Sequence, residues 1–255
     1  VSYERTREHL EALGLQAALE GLDAALESGQ KQERTTVEIL DDLLTRERDT
    51  RFERRVATNL KLSGIAHART LESFNFDAEV DVSKQLIAEL ATLRFMHQSE
   101  NVLFLGPPGV GKSHLATGLG LKAIEQGHRV YFITLHDLVD RSRLARQRDR
   151  LHHLSNTVTR PDLLVLDEVG YLPLEQMDAT FLFQIVSRRY EAGKPIILTS
   201  NKSYGSWHDI FPDAILATAL LDRLLDQSTT VNIRGESYRL RHRRQAGLSS
   251  GEEKA

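Results

Sequence analysis

The stretch GPPGVGKS at residues 106–113 decides the fold class of this 255-residue chain. Its spacing is G-x-x-x-x-G-K-S, in which glycines let the backbone turn so that its N–H groups point inward at phosphate oxygens. Lys112 adds a positive charge that reaches the same phosphates, and Ser113 offers a hydroxyl to Mg²⁺. The apolar run 102–105 predicts a buried strand before the loop, and a helix is predicted to start at Lys112, with its N-terminus facing an anion. The stretch therefore predicts a P-loop.

The predicted contacts to the nucleotide come from this loop and the first turn of the helix. Lys112 is expected to contribute to catalysis as well as to binding. The residues predicted to bind the nucleotide are Gly106, Pro107, Pro108, Gly109, Val110, Gly111, Lys112, Ser113 and His114.

A second motif, DLLVLDE at residues 162–168, predicts the magnesium and hydrolysis end of the same site. Four apolar residues lead to Asp167, which at the tip of a strand would hold Mg²⁺ together with Ser113. Glu168 follows at once, and a carboxylate there can orient and activate a water for attack on the γ-phosphate. The alternative for Glu168 is an ordinary solvated loop residue.

The same region also matches part of a GTPase pattern. Residues 167–170 fit D-x-x-G, and Asn201-Lys202 resembles the start of the guanine-reading motif N-K-x-D. The fourth position of that motif is Tyr204, so the carboxylate that would pair with guanine is missing. The sequence therefore argues against a GTPase. Glu168 also argues against a small-molecule kinase, because a phosphoryl acceptor does not need an activated water.

The composition limits the class of protein. Apolar residues make up 40 % of the chain, there is no cysteine, and the formal net charge is −3. The length allows one large domain or a core domain with a smaller one. The absence of cysteine fits a reducing compartment, the N-terminus does not resemble a signal peptide, and no apolar run approaches the ~20 residues that span a membrane. We therefore expect a cytoplasmic protein without membrane contact, which would bind nucleic acid only through local basic patches.

The N-terminal part predicts helices alone. Residues 4–28 and 35–62 carry apolar side chains at helical spacings, with Gly29 and its polar neighbours between them. This pattern predicts an all-helical domain over residues 1–70. Such a domain is either an ordinary small bundle or a module for oligomerisation, DNA binding or partner binding.

Most of the remaining chain alternates between short apolar runs and helical patterns. Residues 71–83 predict an irregular linker, and 84–98 a helix. The predicted strands are 101–105, 129–135, 162–167, 195–200 and 229–233. The predicted helices between them are 112–126, 136–154, 175–193 and 214–226. The pattern predicts an α/β fold with a mostly parallel sheet covered by helices, and the P-loop at the carboxyl end of the first strand, where ligands bind.

Two further residues have predicted roles in hydrolysis. Asn201 ends the predicted strand PIILTSN, where a polar side chain beside Asp167 would contact the attacking water or the γ-phosphate; the alternative is a capping or turn asparagine. Arg223 lies in the apolar helix ALLDRLLD. It either pairs with Asp222 or Asp226 or acts as an arginine finger on a neighbouring subunit's ATP, a role worth about 10³–10⁵ in rate in other systems.

Two arginine clusters, at residues 141–153 and 234–244, are candidate DNA contacts. Residues 141–153 read RSRLARQRDRLHH, and on one helix Arg143, Arg146 and Arg150 would share a face, as would Arg141 and Arg148. Such clusters are otherwise solvated surfaces, but arginines on phosphates would give sequence-tolerant binding. Aromatic residues are sparse in both clusters, and Trp207 and Phe211 are expected in the core. The predicted DNA contacts are Arg141, Arg143, Arg146, Arg148, Arg150, Arg241, Arg243 and Arg244.

Taken in order, five segments resemble the IstB-like ATPases, which are AAA+ proteins related to the helicase loader DnaC and the initiator DnaA. They are GPPGVGKSHLA, LLVLDEVGYLP, LTSNKSYGSWHDIF, ATALLDRLLDQS and IRGESYRLR, within a match over about residues 1–244. The resemblance implies Walker A at 106–113, Walker B at Asp167-Glu168, a first sensor at Asn201 and an arginine finger at Arg223. Arg234 and Arg239 are candidates for a second sensor.

The resemblance also implies a function. An IstB-like protein is expected to bind ATP and Mg²⁺, assemble as a homo-oligomer on duplex DNA, and help the transposase IstA to select a target site. The alternatives are a DnaC-like helicase loader, which would prefer single strands, and a nucleotide-switched DNA scaffold with little hydrolysis. The expected division is a helical domain (1–70), a linker (71–83), an AAA+ ATPase domain (84–244) and a disordered tail (245–255).

Overall fold

The computed structural model describes residues 2–67, 69–76 and 80–235. The chain divides into two compact units, residues 1–58 and 59–255. The division lies upstream of the boundary predicted at residue 70, because the chain already contacts the second unit from Asn59 onward. Asn59 Nδ2 donates to the carbonyls of Gly127 and His128, and Phe132 N donates to Ser63 O at 2.6 Å.

The first unit consists of helices, as expected. They are α1 (Ser2–Ala12), α2 (Gln16–Lys31) and α3 (Thr36–Leu62), whose last residues belong to the second unit. The predicted separation near Gly29 is present but lies slightly downstream, because α2 continues through Gly29 to Lys31 and the polar residues 32–35 form the break before α3. A further break, which the pattern did not predict, comes at Gly14, which has a left-handed φ of 67°. A Cβ on Gly29 would lie 2.4 Å from Ile39 Cδ1, so the glycine permits close packing of α2 and α3.

The second unit contains a parallel five-stranded sheet in the order β3-β4-β5-β2-β6, and all five predicted strands are confirmed. Every residue of β2 and β5 is buried, which requires cover on both faces. A separate two-stranded antiparallel pair joins β1 and β7. The strands are β1 (Val80–Asp81), β2 (Asn101–Leu105), β3 (Val130–Thr134), β4 (Leu163–Val169), β5 (Ile196–Ser200), β6 (Ser228–Asn232) and β7 (Arg234–Gly235).

Helices connect these strands. They are α4 (Lys84–Leu90), α5 (Arg94–His97), α6 (Lys112–Glu125), α7 (Leu135–Gln147), α8 (Leu151–Thr159), α9 (Gln176–Glu191) and α10 (Ala214–Leu225). A 3₁₀ helix at Tyr204–Asp209 places Trp207 in the core with no exposed surface, and Phe211 is 4 % exposed. Their expected place in the core is confirmed. No helix within the described ranges is long and apolar enough to cross a membrane.

Two predicted helices are each interrupted in the structure. The helix predicted over 136–154 is broken between α7 and α8, where Asp149 has a φ of 53°. The helix predicted over 84–98 is divided at Leu93, with a φ of 61°. In both places a non-glycine residue adopts a left-handed conformation, which side-chain periodicity does not reveal. Arg148 and Arg150 therefore lie at helix ends, not on the two helical faces predicted for them.

Candidate nucleotide-binding site

The P-loop connects β2 to α6 at the carboxyl edge of the sheet. Gly109 and Gly111 have φ values of 84° and 96°, in the left-handed region that glycine adopts without strain. A Cβ on Gly106 would lie 2.1 Å from Ile233 O, so this position has no room for a side chain. The loop thereby encloses the end of α6, whose free N–H groups favour an anion.

Lys112 is held inside the loop and is only 5 % exposed. Its Nζ donates to the carbonyls of Gly106 at 2.7 Å and Pro107 at 2.8 Å. Burial lowers the pKa of the ammonium, while the nearby carboxylates of Asp167 and Glu168 act in the opposite sense. The positive charge is therefore positioned in advance where phosphate oxygens would bind.

Ser113 and Asp167 meet at this edge, as their two motifs predict. Ser113 Oγ donates to Asp167 Oδ1 at 2.8 Å, and Asp167 is 4 % exposed at the end of β4. A hydroxyl and a carboxylate side by side next to a phosphate loop fit Mg²⁺, which takes few protein ligands and completes its shell with water and phosphate oxygens.

Glu168 is exposed and lines the same cavity as the P-loop, a space of about 480 Å³. Its φ is 62°, which is unusual for a residue with a long side chain. Its backbone N–H donates to Thr199 Oγ1 at 3.0 Å. The carboxylate thus faces the cavity from a strained position directly beside Asp167.

Asn201 follows β5, the strand that pairs with β4, so it lies next to the Asp167 region as expected. A Cβ on Gly170 would lie 2.9 Å from Asn201 Oδ1. Within the described ranges this buried oxygen has no hydrogen-bond partner. Buried polar atoms are nearly always paired, so an unpaired one next to Gly170, just beyond β4, suits a side chain whose partner arrives with the nucleotide.

The segment 69–76 also lines the cavity, which the sequence did not reveal. Phe74 lies so close to Gly111 that a Cβ there would be 2.5 Å from the Phe74 ring. His114 Nε2 lies 2.9 Å from Thr70 O and 3.0 Å from Ser73 Oγ. Part of the predicted linker therefore packs on the P-loop and presents an aromatic face. The two phenylalanines of LESFNFD were the available signal, since both are large apolar residues in an otherwise polar stretch.

Arg223 lies at the opposite edge of the sheet. It lines a cavity of about 500 Å³ together with Asn101 and Ile196, the first residues of β2 and β5. Along β2 that edge is roughly 13 Å from the P-loop. The guanidinium donates to Ala219 O at 3.0 Å and stacks over Phe183 with 4.7 Å to the ring centroid. Among the described residues it forms no ion pair with Asp222 or Asp226.

The arginines of the first basic cluster have different environments. Arg143 and Arg146 each bind Asp178, whose side chain is 1 % exposed, at 2.9 Å. Arg141 donates to Tyr131 Oη at 2.6 Å. Arg148 and Arg150 are exposed. Arg143 and Arg146 thus join α7 to α9. Arg141 and Arg143 are exposed as well, but their guanidinium groups take part in these bonds.

The remaining predicted residues lie near or beyond the end of the described chain. Arg234, a candidate second sensor, is exposed in β7 opposite Asp81. The other candidate and the second basic cluster beyond residue 235 lie outside the described residues, as does the predicted tail. Those residues are Arg239, Arg241, Arg243 and Arg244 and the range 245–255.

A parallel sheet with this P-loop and an acidic strand end defines a P-loop nucleotide-binding protein. Over residues 8–246 the chain matches the family model described as IstB-like ATP binding protein, and it belongs to that family. One relative is the ATP-binding protein of insertion sequence IS5376 from Geobacillus stearothermophilus. It is 44 % identical to this chain over an alignment that covers 94 % of this chain and 96 % of the relative's length.

Two solved structures share the fold. The crystal structure of the DnaC helicase loader has a TM-score of 0.54 at 23 % identity, over 65 % of this chain and 96 % of its own. The replication initiator DnaA bound to AMPPCP and single-stranded DNA has a TM-score of 0.54 at 22 % identity, over 72 % of this chain and 57 % of its own. The chain thus spans little more than half of that DnaA. The predicted family and fold class are confirmed.

Proposed function

We propose that this protein is an ATPase that assembles on duplex DNA and helps the transposase of an insertion sequence to select its target site. ATP binding favours assembly in this proposal, and hydrolysis resets the complex. The observation that carries it is the meeting of Ser113, Asp167 and Glu168 beside the P-loop, in a chain of the IstB-like ATP-binding family.

Each residue of the site has a part in the proposed hydrolysis. The loop N–H groups and Lys112 bind the phosphates, and Ser113 and Asp167 hold Mg²⁺, which neutralises charge on the phosphate oxygens when it is bound. Glu168 takes a proton from the attacking water. The Asn201 amide orients that water or the γ-phosphate.

The position of Arg223 supports a homo-oligomer. Because it lies at the edge of the sheet opposite its own P-loop, it can reach a nucleotide only in another subunit. Charge developing on the transferred phosphoryl group is stabilised by such an arginine. A subunit would then present Arg223 at one surface and its nucleotide at another, and successive subunits would form a ring or a spiral.

DNA binding is supported by exposed charge and by family context. Arg148 and Arg150 lie at the turn between α7 and α8, in the same basic stretch as Arg141, and arginines bind phosphates without reading sequence. The insertion-sequence relative supports mobile DNA as the substrate and an IstA-type transposase as the partner.

Duplex and single-stranded oligonucleotides of matched length, each with ATP and with ADP at fixed salt, test the proposal. Tight binding to duplex that requires ATP, with turnover of ATP, is the expected result. Preference for single strands would favour a helicase loader instead. DNA binding that switches with the nucleotide while ATP is not hydrolysed would favour a scaffold.

A further inference from the structure

An irregularity in the sheet lies within β4, at Asp167 and Glu168. Leu166 pairs with Leu198 on β5, and Val169 pairs with Ser200. Two residues of β4 therefore stand opposite a single residue of β5, Thr199, which is a β-bulge. Bulges are rare between parallel strands and redirect the side chains next to them.

Thr199 bonds to both residues of the bulge. Its hydroxyl donates to Asp167 Oδ1 and accepts from the backbone N–H of Glu168 at 3.0 Å. Thr199 is 1 % exposed, so water does not compete for these bonds. The extra residue of a bulge leaves its N–H without a partner in the ladder, and here the threonine hydroxyl replaces that partner.

The bulge determines where Glu168 points. In a regular strand, adjacent side chains project to opposite faces, and a buried Asp167 would leave Glu168 directed into the other layer of helices. In the structure Glu168 instead takes a φ of 62° and lines the P-loop cavity. A non-glycine residue keeps such a conformation only where its surroundings fix it.

We propose that Thr199 is a positioning residue for ATP hydrolysis. Its hydroxyl fixes the bulge that holds the Glu168 carboxylate at the nucleotide cavity, and it orients Asp167 for Mg²⁺. This inference rests on the proposed ATPase function and adds a residue that does not touch the nucleotide itself.

Thr199→Val tests it, because valine keeps the shape of threonine and removes the hydroxyl. A positioned general base contributes about 10²–10⁴-fold to rate, so a misplaced Glu168 should lower kcat at least about tenfold. Affinity for a fluorescent nucleotide measured without Mg²⁺ should stay near the wild-type value, since the P-loop is unchanged. Thr199→Ser keeps the hydroxyl and should retain most of kcat.

Thr230→Val is the matched control. It makes the same change on β6 of the same sheet and removes one bond, from Thr230 Oγ1 to Tyr204 Oη at 2.5 Å. It should leave kcat unchanged. Thr199→Cys, with a weaker hydrogen-bonding group of similar size, should fall between valine and serine and provides a second variant if valine prevents folding.

A double variant separates positioning from general stability. If Thr199 acts through Glu168, adding Thr199→Val to Glu168→Gln should lower single-turnover hydrolysis little further, because the two losses are not additive. Three results would overturn the inference. They are a wild-type kcat in Thr199→Val, an equal loss of kcat in the serine and valine variants, and additive losses of hydrolysis rate in the double variant. Absence of hydrolysis by the wild-type protein would instead overturn the ATPase proposal, and this inference with it.

Discussion

Lys112 is buried in the P-loop with its charge already placed, so its removal should act mainly on nucleotide binding. Lys112→Ala deletes charge-assisted hydrogen bonds worth roughly 1.5–3 kcal/mol each, which corresponds to about 10- to 150-fold in affinity per bond. Titration with labelled ATP measures the effect. Lys122→Ala, on the same helix and in a surface ion pair with Glu125, is the control and should bind ATP normally. Equal affinity in both variants would argue against a P-loop.

Glu168 faces the cavity without holding the phosphates. Glu168→Gln should therefore bind ATP with near wild-type affinity and assemble, but hydrolyse it at least about 10²-fold more slowly, because glutamine cannot accept the proton. Phosphate release under saturating ATP measures the loss. Glu175→Gln, which removes only an exposed partner of Arg143, is the control. Normal turnover in Glu168→Gln would exclude this carboxylate as the base.

Sequence motifs identify a site residue when the role of that residue depends on its spacing from neighbouring residues along the chain. The motifs predicted Ser113, Asp167 and Glu168 because each role is linked to a neighbouring glycine, lysine or apolar run. Thr199 and Phe74 were missed because their roles arise from a bulge between strands and from the packing of a non-periodic segment on Gly111. Neither has a signature within its own stretch of chain.

Among the helices, α2 depends on a carboxylate from α3. Glu47 Oε2 accepts from Ala17 N at 2.8 Å and Ala18 N at 3.1 Å, and Arg51 donates to Oε1. Burial alone would raise the pKa of Glu47, but these bonds outweigh it and the pKa lies below its ordinary value of 4.5. The ionised Glu47 carboxylate therefore stabilises α2 at pH values above 4.5. This stabilisation is lost as the pH falls through the lowered pKa that Glu47 has in the folded protein.

Glu47→Gln should consequently speed amide exchange in the first turn of α2 at neutral pH, and the difference from wild type should shrink as the pH is lowered. Hydrogen exchange of the full chain measures this locally. Glu53→Gln, exposed on the same helix, is the control. A difference that does not change with pH would argue against a charged cap.

The turn between α7 and α8 should carry DNA contacts. Arg148→Ala with Arg150→Ala should weaken duplex binding and lower the salt slope by about 1.8, at roughly 0.9 per lost phosphate contact. Binding isotherms at several salt concentrations measure the slope. Arg129→Ala, which removes an exposed arginine paired with Asp162, is the control. An unchanged slope would leave the turn as a solvated surface.

For helices and strands, the sequence predicted where a helix occurs better than where it begins and ends. The strands were found because each is a short apolar run followed by a polar stretch. The breaks at Gly14, Leu93 and Asp149 were missed because they come from left-handed backbone conformations inside otherwise periodic segments. The arginine cluster was consequently placed on one continuous helix, whereas Arg148 and Arg150 lie at the break between α7 and α8. The sequence also did not show that Asp178 binds two other members of the cluster.

For the whole molecule, Arg223 predicts complementation between subunits. Arg223→Ala should lose ATPase activity in the assembled protein, by a factor of up to about 10³–10⁵. Mixing it with Lys112→Ala subunits, which keep Arg223, should restore part of the activity. A double variant lacking both side chains is the control and should restore none. Failure of the first mixture would argue against action between subunits.

The fold as a whole was predictable because one motif fixes the first strand and the rest follows from alternation of strands and helices. The place where the two compact units divide was not, because it depends on contacts of Asn59 and Ser63 with residues far along the chain.

The separation of Arg223 from the P-loop has a consequence for the kinetics. In the proposed assembly, each subunit contributes its nucleotide site at one surface and Arg223 at another, so a lone subunit would contain no complete reaction centre. An open row of subunits contains one fewer centre than it has members, whereas a closed ring contains as many. Activity per subunit should therefore rise with protein concentration, gradually if rows lengthen and abruptly if rings close, and DNA that gathers subunits should produce the same rise in dilute solution.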